Sequence, residues 1–160
     1  MGSRCVVRLI LALAVILATG CAFLLPKAKT ATAAPFKTFE EGKRKYDSIE
    51  PGRTTLQELK ELGYDPYVNA NVTVLHSSDV LNKYAPNGVR DEYLEPGIRE
   101  CLKTQSECSA YAVEHRFVRR DRVGNFLLDM INFERRTEIT GWRFAAVVVV
   151  VSDRVVHKAW

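Results

Sequence analysis

The sequence lacks the short motifs that most often carry enzymatic chemistry. It contains no Gly-x-Ser-x-Gly elbow, no glycine-rich phosphate loop and no His-Glu-x-x-His pair. Its three histidines, His76, His115 and His157, are isolated, and none has the paired spacing of metal ligands. Asp129 and Glu134 are the one carboxylate pair worth considering, but five residues apart on a predicted strand they would point to opposite faces. We therefore expect no catalytic residues, no metal site and no cofactor.

No charge of one sign dominates the chain. Its 160 residues include 23 Lys and Arg against 19 Asp and Glu, a formal net charge of +4. Arg4 and Arg8 lie in a segment that we expect to be removed, so the remaining chain carries about +2. This charge is too small to predict nucleic-acid binding, and any electrostatic partner must be met by a local patch.

The amino terminus holds an uncharged apolar run, residues 9–18, which follows Arg4 and Arg8 and precedes Thr19-Gly20-Cys21. A basic start, a short apolar core and small residues are typical of a secretory signal. A cysteine at the cleavage point predicts a lipoprotein, in which the Cys21 thiol receives the lipid. We predict a signal peptide over residues 1–20 and a lipidated tether over residues 21–35. The alternative is an uncleaved anchor, because apolar residues continue to Leu25, slightly short of the roughly 20 residues of a comfortable membrane span.

Cysteine is scarce, with four in the chain. Cys5 leaves with the signal peptide and Cys21 takes the lipid, which leaves Cys101 and Cys108. In an oxidising compartment these two predict one disulfide that closes a short loop. A metal site that adds His115 to the pair is the alternative, but it lacks a fourth ligand and the usual cysteine spacing.

Residues 36–160 are predicted to form the folded domain. Thr38-x-x-Glu41 and Thr54-x-x-Gln57 have the pattern of a capping box and predict two short helices. Val72–His76 is a predicted strand, and the last third alternates as strands do over residues 111–117, 126–134, 142–151 and 155–160. The five consecutive valines at 147–151 indicate a central strand. The fold class is therefore α+β: two N-terminal helices packed on one face of a three- to four-stranded antiparallel β-meander, with one disulfide.

Two short motifs flank the second predicted helix. Residues 49–55 read Ile-Glu-Pro-Gly-Arg-Thr-Thr, and residues 62–66 read Leu-Gly-Tyr-Asp-Pro. They resemble the Ile-x-x-Gly-x-Thr turn and the Leu-Gly-x-Pro exit of the SmpA/OmlA, or BamE-like, small outer-membrane lipoproteins. The chain departs from that family at Arg53, where the family usually has Met, and in the extra segment 69–108. The resemblance implies a lipid-anchored protein on the periplasmic face of the outer membrane that supports outer-membrane organisation or barrel-protein assembly.

Arginines cluster around the predicted hairpin that follows residue 117. Guanidinium groups suit bidentate contact with phosphates and carboxylates. We therefore predict a binding site for an anionic partner, either lipid head groups or an acidic face of an envelope protein complex, at Arg116, Arg119, Arg120 and Arg122. The alternative is that these arginines, with Arg135, Arg136 and Arg143, form the solvated face of the sheet and are balanced by Glu114, Asp121, Glu134 and Glu138. The neighbouring aromatic residues are predicted to be sheet core: Phe126, Phe133, Trp142 and Phe144.

These observations predict a non-enzymatic, lipid-anchored binding or scaffold module that meets the membrane through its lipid. A second prediction comes from another class of protein. Two helices on an antiparallel sheet with a disulfide are also similar to β-lactamase-inhibitor-like domains, so an inhibitor or sequestering module is the alternative.

Overall fold

The computed structural model describes residues 25–31 and 36–160, together with Val6 and Arg8. The rest of the predicted signal peptide, the predicted lipidation site Cys21, and residues 22–24 and 32–35 lie outside the described residues. The chain divides into two compact units. The hairpin unit comprises the described part of Met1–Thr30 together with Val118–Gly141, and the core unit comprises Ala31–Phe117 and Trp142–Trp160.

Over the described residues the protein is α+β and contains a five-stranded antiparallel sheet, which confirms the predicted class. The strand order is β1-β3-β4-β5, and β2 also pairs with β3. The strands are β1 Lys27–Ala31, β2 Val72–His76, β3 Cys108–Val123, β4 Arg136–Val151 and β5 Arg154–Ala159. β2 has the predicted bounds. The sheet has more strands than predicted, because β1 lies in the segment that we predicted to be an unpaired tether.

The described residues also form five α-helices, two of which precede β2. They are α1 Phe39–Asp47, α2 Leu56–Leu59, α3 Ser77–Tyr84, α4 Pro96–Thr104 and α5 Phe126–Met130. A π-helical turn, Lys60–Tyr64, continues α2. It contains Gly63 at a φ of 107°, a left-handed conformation that favours glycine.

The valine run of β4 lies between β3 and β5, which confirms its predicted central position. Val148 and Val150 belong to one buried cluster, with Tyr46 of α1 and Leu59 of α2. Val149 and Val151 belong to a second buried cluster that includes side chains of α3 and α4. Successive side chains of a strand point to opposite faces, so helices cover both faces of the sheet. The buried residues of α1 and α2 belong to the same cluster, and the second face is covered by α3 and α4, which the prediction of helices on one face did not include.

The first helix begins as its capping pattern predicts. Thr38 is the N-cap residue, and its hydroxyl accepts a hydrogen bond from the Glu41 amide at 3.2 Å. The Glu41 carboxylate accepts a hydrogen bond from the Lys37 amide at 2.9 Å, so that acid reaches back beyond the cap residue. The helix buries Tyr46, whose ring lies 6.4 Å from that of Phe144 on β4. The side-chain cap thus sets where α1 begins, and the buried Tyr46 ring packs the helix against β4.

The second helix is capped one residue later than predicted. The Thr54 hydroxyl accepts a hydrogen bond from the Glu50 amide at 2.8 Å and thereby closes the Pro-Gly turn. Thr55 is the N-cap residue and forms a complete capping box with Glu58. These hydrogen bonds from Thr55 hold the pKa of Glu58 below its ordinary value. The turn is fixed to β5, because the Gly52 amide donates to the Val155 carbonyl at 2.7 Å.

The predicted disulfide between Cys101 and Cys108 is present, with the two Cα atoms 4.9 Å apart. Cys101 lies in α4, Cys108 begins β3, and both are buried. The bond therefore ties the end of a helix to the start of the strand that follows. The alternative metal site with His115 is wrong, because both thiols are consumed by the disulfide.

The predicted strand over residues 126–134 is wrong. Residues 126–130 form the short helix α5, which is capped by Asn125, whose side-chain oxygen accepts a hydrogen bond from the Leu127 amide at 2.9 Å. Val123-Gly124-Asn125 therefore leads into a helix rather than directly into a paired strand. The chain joins β4 only at Arg136.

Candidate functional site

The hairpin unit brings together three of the four predicted arginines. Arg119, Arg120 and Arg122 lie on the end of β3, whereas Arg116 lies on the part of β3 that belongs to the core unit. Alternation along the strand places Arg120 and Arg122 on one face and Arg119 on the other. The four arginines that are close together in the sequence are therefore divided between the two units and between the two faces of β3.

Two of these arginines have acidic partners. The Arg119 Nε atom lies 2.5 Å from an Asp121 carboxylate oxygen, and Arg122 Nη1 lies 3.0 Å from Asp129 Oδ2. Arg120 is exposed and forms no ion pair with the residues that the structure describes. Within this unit, Arg120 is thus the predicted residue most available to an external anion.

Asp129 is the centre of an ion-pair cluster that the sequence did not indicate. Its side chain is 8% exposed, and its two carboxylate oxygens contact Arg122 at 3.0 Å and Arg135 Nε at 3.2 Å. A buried carboxylate needs such partners, because an unpaired buried charge is strongly unfavourable. The cluster connects α5 to β3 and to the segment before β4. Asp129 therefore has a structural role, and Glu134 pairs with a different arginine, Arg136, at 2.7 Å.

The segment after Asp129 carries exposed apolar side chains. Met130 is 62% exposed, Ile131 64% and Phe133 80%. Asn132 between them has a φ of 59°, so the chain turns there. We call these three side chains the apolar tip. The prediction that Phe133 belongs to the sheet core is wrong, whereas Phe144 is buried.

Leu25 and Pro26 lie in the same unit as the apolar tip. Leu25 is 4% exposed, and the Pro26 carbonyl accepts a hydrogen bond from the Arg122 amide at 3.2 Å. β1 follows directly and pairs with β3. Pro26 therefore lies beside the arginine-bearing end of β3.

The core unit has a separate groove of about 440 Å³ on one face of the sheet. Its floor consists largely of small side chains, Ala112 of β3, Ala145 and Val147 of β4, and Ala159 of β5. Arg143 also lines it and pairs with Glu114 at 3.0 Å. This pairing agrees with the alternative prediction that some of the arginines are balanced by acidic residues on the sheet.

The histidines occupy three different environments. His76 is exposed at the end of β2. His115 is buried, with its ring 4.9 Å from that of Trp142 and 5.4 Å from that of Phe36, and this burial lowers the pKa of His115. His157 is also buried, and its Nδ1 atom lies 3.0 Å from the Glu95 carboxylate.

Two negative findings apply to residues 25–31 and 36–160 with Val6 and Arg8. No group of three or more His, Cys, Asp or Glu side chains there could hold a metal ion. No helix there has both the length and the apolar character needed to cross a membrane.

Comparison with protein-family models, with curated proteins and with solved structures gave no match to this chain.

Proposed function

We propose that the chain is a non-enzymatic binding module, held by a lipid on Cys21 at the periplasmic face of the outer membrane. It would support the organisation of that membrane or the assembly of its barrel proteins, in contact with anionic lipid head groups or with an envelope protein complex. The finer arrangement of the resembled family, two N-terminal helices on a β-meander, belongs to the same proposal.

The observation that carries the proposal is the hydrogen bond that holds Pro26 to the arginine-bearing end of β3. Cys21 precedes the buried Leu25 by four residues, and four extended residues span about 14 Å. Because Pro26 is hydrogen-bonded to Arg122, a lipid on Cys21 would hold the arginine-bearing end of β3 close to the membrane surface. Arginines there would meet phosphates, which guanidinium groups contact well. This supports a module that works at a membrane.

Lipidation is tested by growth with radioactive palmitate and by fractionation of the envelope. The wild-type protein should incorporate the label and sediment with the outer membrane. Cys21→Ser should abolish both, whereas Cys5→Ser, which removes a thiol within the predicted signal peptide, should change neither. Mass spectrometry of the amino terminus provides an independent check. A mature protein that retains Met1 and carries no acyl group would refute the proposal.

The anionic contact is tested by flotation with vesicles of phosphatidylethanolamine and phosphatidylglycerol, using chains of residues 21–160 that carry Cys21→Ser, so that neither the lipid nor the apolar run of the predicted signal peptide contributes. Arg120→Glu should weaken flotation several-fold. Arg53→Glu is the matched control, because it makes the same charge change at an exposed position of the core unit, where Arg53 pairs with Glu50. Equal flotation of the two variants would count against a head-group contact at Arg120. Tight binding of a soluble hydrolase by the unlipidated chain would instead favour the inhibitor alternative.

A further inference from the structure

We propose that the apolar tip, Met130, Ile131 and Phe133, inserts into the head-group layer of the same membrane that holds the Cys21 lipid and so orients the module on that membrane. This inference rests on the proposed function and adds to it a second membrane contact made by the folded protein itself.

The exposure of the apolar tip is unusual for a soluble surface. Three large apolar side chains within four residues are each more than 60% exposed, and Phe133 is 80% exposed. Single exposed apolar residues are common, but clustered ones mark a surface that meets another apolar phase. Hydrocarbon at the boundary of a bilayer is such a phase, and Phe and Ile side chains are suited to it.

The charges beside the apolar tip favour a membrane as the occupant. Glu134 separates Phe133 from Arg135 and Arg136, whose side chains are 49% and 73% exposed. Both arginines are paired, Arg135 with Asp129 and Arg136 with Glu134. Arg120 is exposed on the adjoining part of β3. Arg120 forms no ion pair with the described residues, so it is the arginine of this unit that is available to a phosphate. An exposed apolar segment and an available arginine in one unit match the two layers of an anionic membrane surface, hydrocarbon below and phosphate above.

The position of β1 supplies the second argument. The Pro26 carbonyl is bonded to the Arg122 amide, and Arg122 in turn pairs with Asp129, the residue that precedes Met130. The predicted lipid site therefore lies a short chain length from the strand end that supports the apolar tip. A lipid on a short tether retains a protein but lets it rotate, whereas a second contact in the same unit fixes one orientation.

Position-specific fluorescence quenching tests the insertion. The lipidated full-length mature protein is reconstituted into vesicles of phosphatidylethanolamine and phosphatidylglycerol whose acyl chains carry bromine, a contact quencher. Phe133→Trp places an indole at the apolar tip. Tyr67→Trp is the matched control, because Tyr67 is 93% exposed in the core unit. The emission of the native Trp142 and Trp160, measured on the wild type, is subtracted from both.

The inference predicts that most of the emission added at position 133 is lost in brominated vesicles, with a blue shift, while that added at position 67 is retained. Equal quenching at the two positions, or none at either, in protein that floats with the vesicles would overturn the inference and leave the proposed function standing. Protein that carries no acyl group and does not float would refute the proposed function, and the inference with it. Both substitutions are at exposed positions, and an unchanged circular dichroism spectrum confirms that the variants are folded.

Discussion

Replacing Gly97 by Ala should displace helix α4 from strand β5. A Cβ atom at Gly97 would lie 2.1 Å from the carbonyl oxygen of Val156 and 2.6 Å from its carbonyl carbon. Both distances are far below van der Waals contact. Because the obstructing atoms belong to the backbone, no side-chain rotation can relieve the clash, and either the helix or the strand must move.

The magnitude follows from two opposed effects. Ala is favoured over Gly in a helix interior by about 0.8–1 kcal/mol, and less in the first turn, where Gly97 lies. Overpacking of a well-packed interior costs about 1–3 kcal/mol. Displacement of α4 would also disturb the buried Ile98 and Cys101 that it carries. We therefore expect Gly97→Ala to lower the free energy of unfolding by about 2 kcal/mol, or the melting temperature by very roughly 8 °C.

Urea unfolding followed by circular dichroism measures this loss, and Gly88 provides the control. Gly88 has a φ of 74°, and a Cβ there would meet nothing within 4 Å, so the obstacle at Gly88 is conformational. Asn tolerates left-handed backbone, so Gly88→Asn should be milder than Gly88→Ala. At Gly97, where space is the obstacle, Asn should be at least as harmful as Ala. A Gly97→Ala protein within about 0.5 kcal/mol of the wild type, the usual range of neutral surface changes, would show that α4 does not approach β5 so closely.

Three further predictions concern stability. Replacing Cys101 and Cys108 together by Ala should lower the free energy of unfolding by about 2–3 kcal/mol, because the loop they close is short; addition of a reductant to the wild type should have a similar effect and should not affect the variant. Burial lowers the pKa of His115, so the buried neutral imidazole should contribute its full stabilisation above the ordinary histidine pKa of about 6.5. The free energy of unfolding should then fall as the pH drops through the lower pKa of the folded state. Denaturation at a series of pH values measures this pH dependence, and His115→Phe should reduce it. Asp129→Asn should destabilise the hairpin unit by about 2 kcal/mol, less than for a fully buried pair because Arg122 and Arg135 are partly exposed, and hydrogen exchange should locate the effect in residues 118–141.

The elements that the sequence predicts well are those with a local physical signal. Thr38 caps α1 because its hydroxyl and Glu41 have the spacing that the cap geometry needs. Val72–His76 forms β2, and the valine run lies in the middle of the sheet because only a strand covered on both faces can bury four successive valines, 148–151. The cap depends on residues that are neighbours in the sequence, and the central strand depends on burial. Residue type alone indicates both.

The second cap shows how a tertiary contact decides between two equal local signals. Thr54 and Thr55 are both suitable caps, each with a Gln or Glu three residues later. The fold uses the Thr54 hydroxyl to close the turn at Glu50, and it uses the Thr54 carbonyl to accept a hydrogen bond from the Val155 amide at 2.9 Å. Thr55 is therefore left to begin the helix. No local pattern distinguishes the two threonines, because β5 lies about 100 residues further along the chain.

The misassigned strand at 126–134 has a similar cause. Its residues are of the apolar type that strands favour, but a central acid, Asp129, is buried between Arg122 and Arg135. A helical turn brings Asp129 to both arginines, and the resulting ion pairs offset its burial. β1 was missed for the opposite reason. Its residues are small or polar and show no pattern of buried and exposed positions, and the segment is a strand because its backbone pairs with β3.

The ion pairs of the hairpin unit also decide which arginines can serve a partner. The sequence pattern predicts four equivalent arginines, yet Arg122 is engaged by Asp129 and Arg119 by Asp121. An arginine that already binds a buried carboxylate is a poor ligand for a second anion, because releasing it would leave that carboxylate unpaired. Arg122 instead fixes the helix that ends at Met130, and so positions the apolar tip, while Arg120 stays available at the surface. In the proposed membrane contact, Arg122 therefore supports the apolar tip through Asp129, and Arg120 supplies the positive charge.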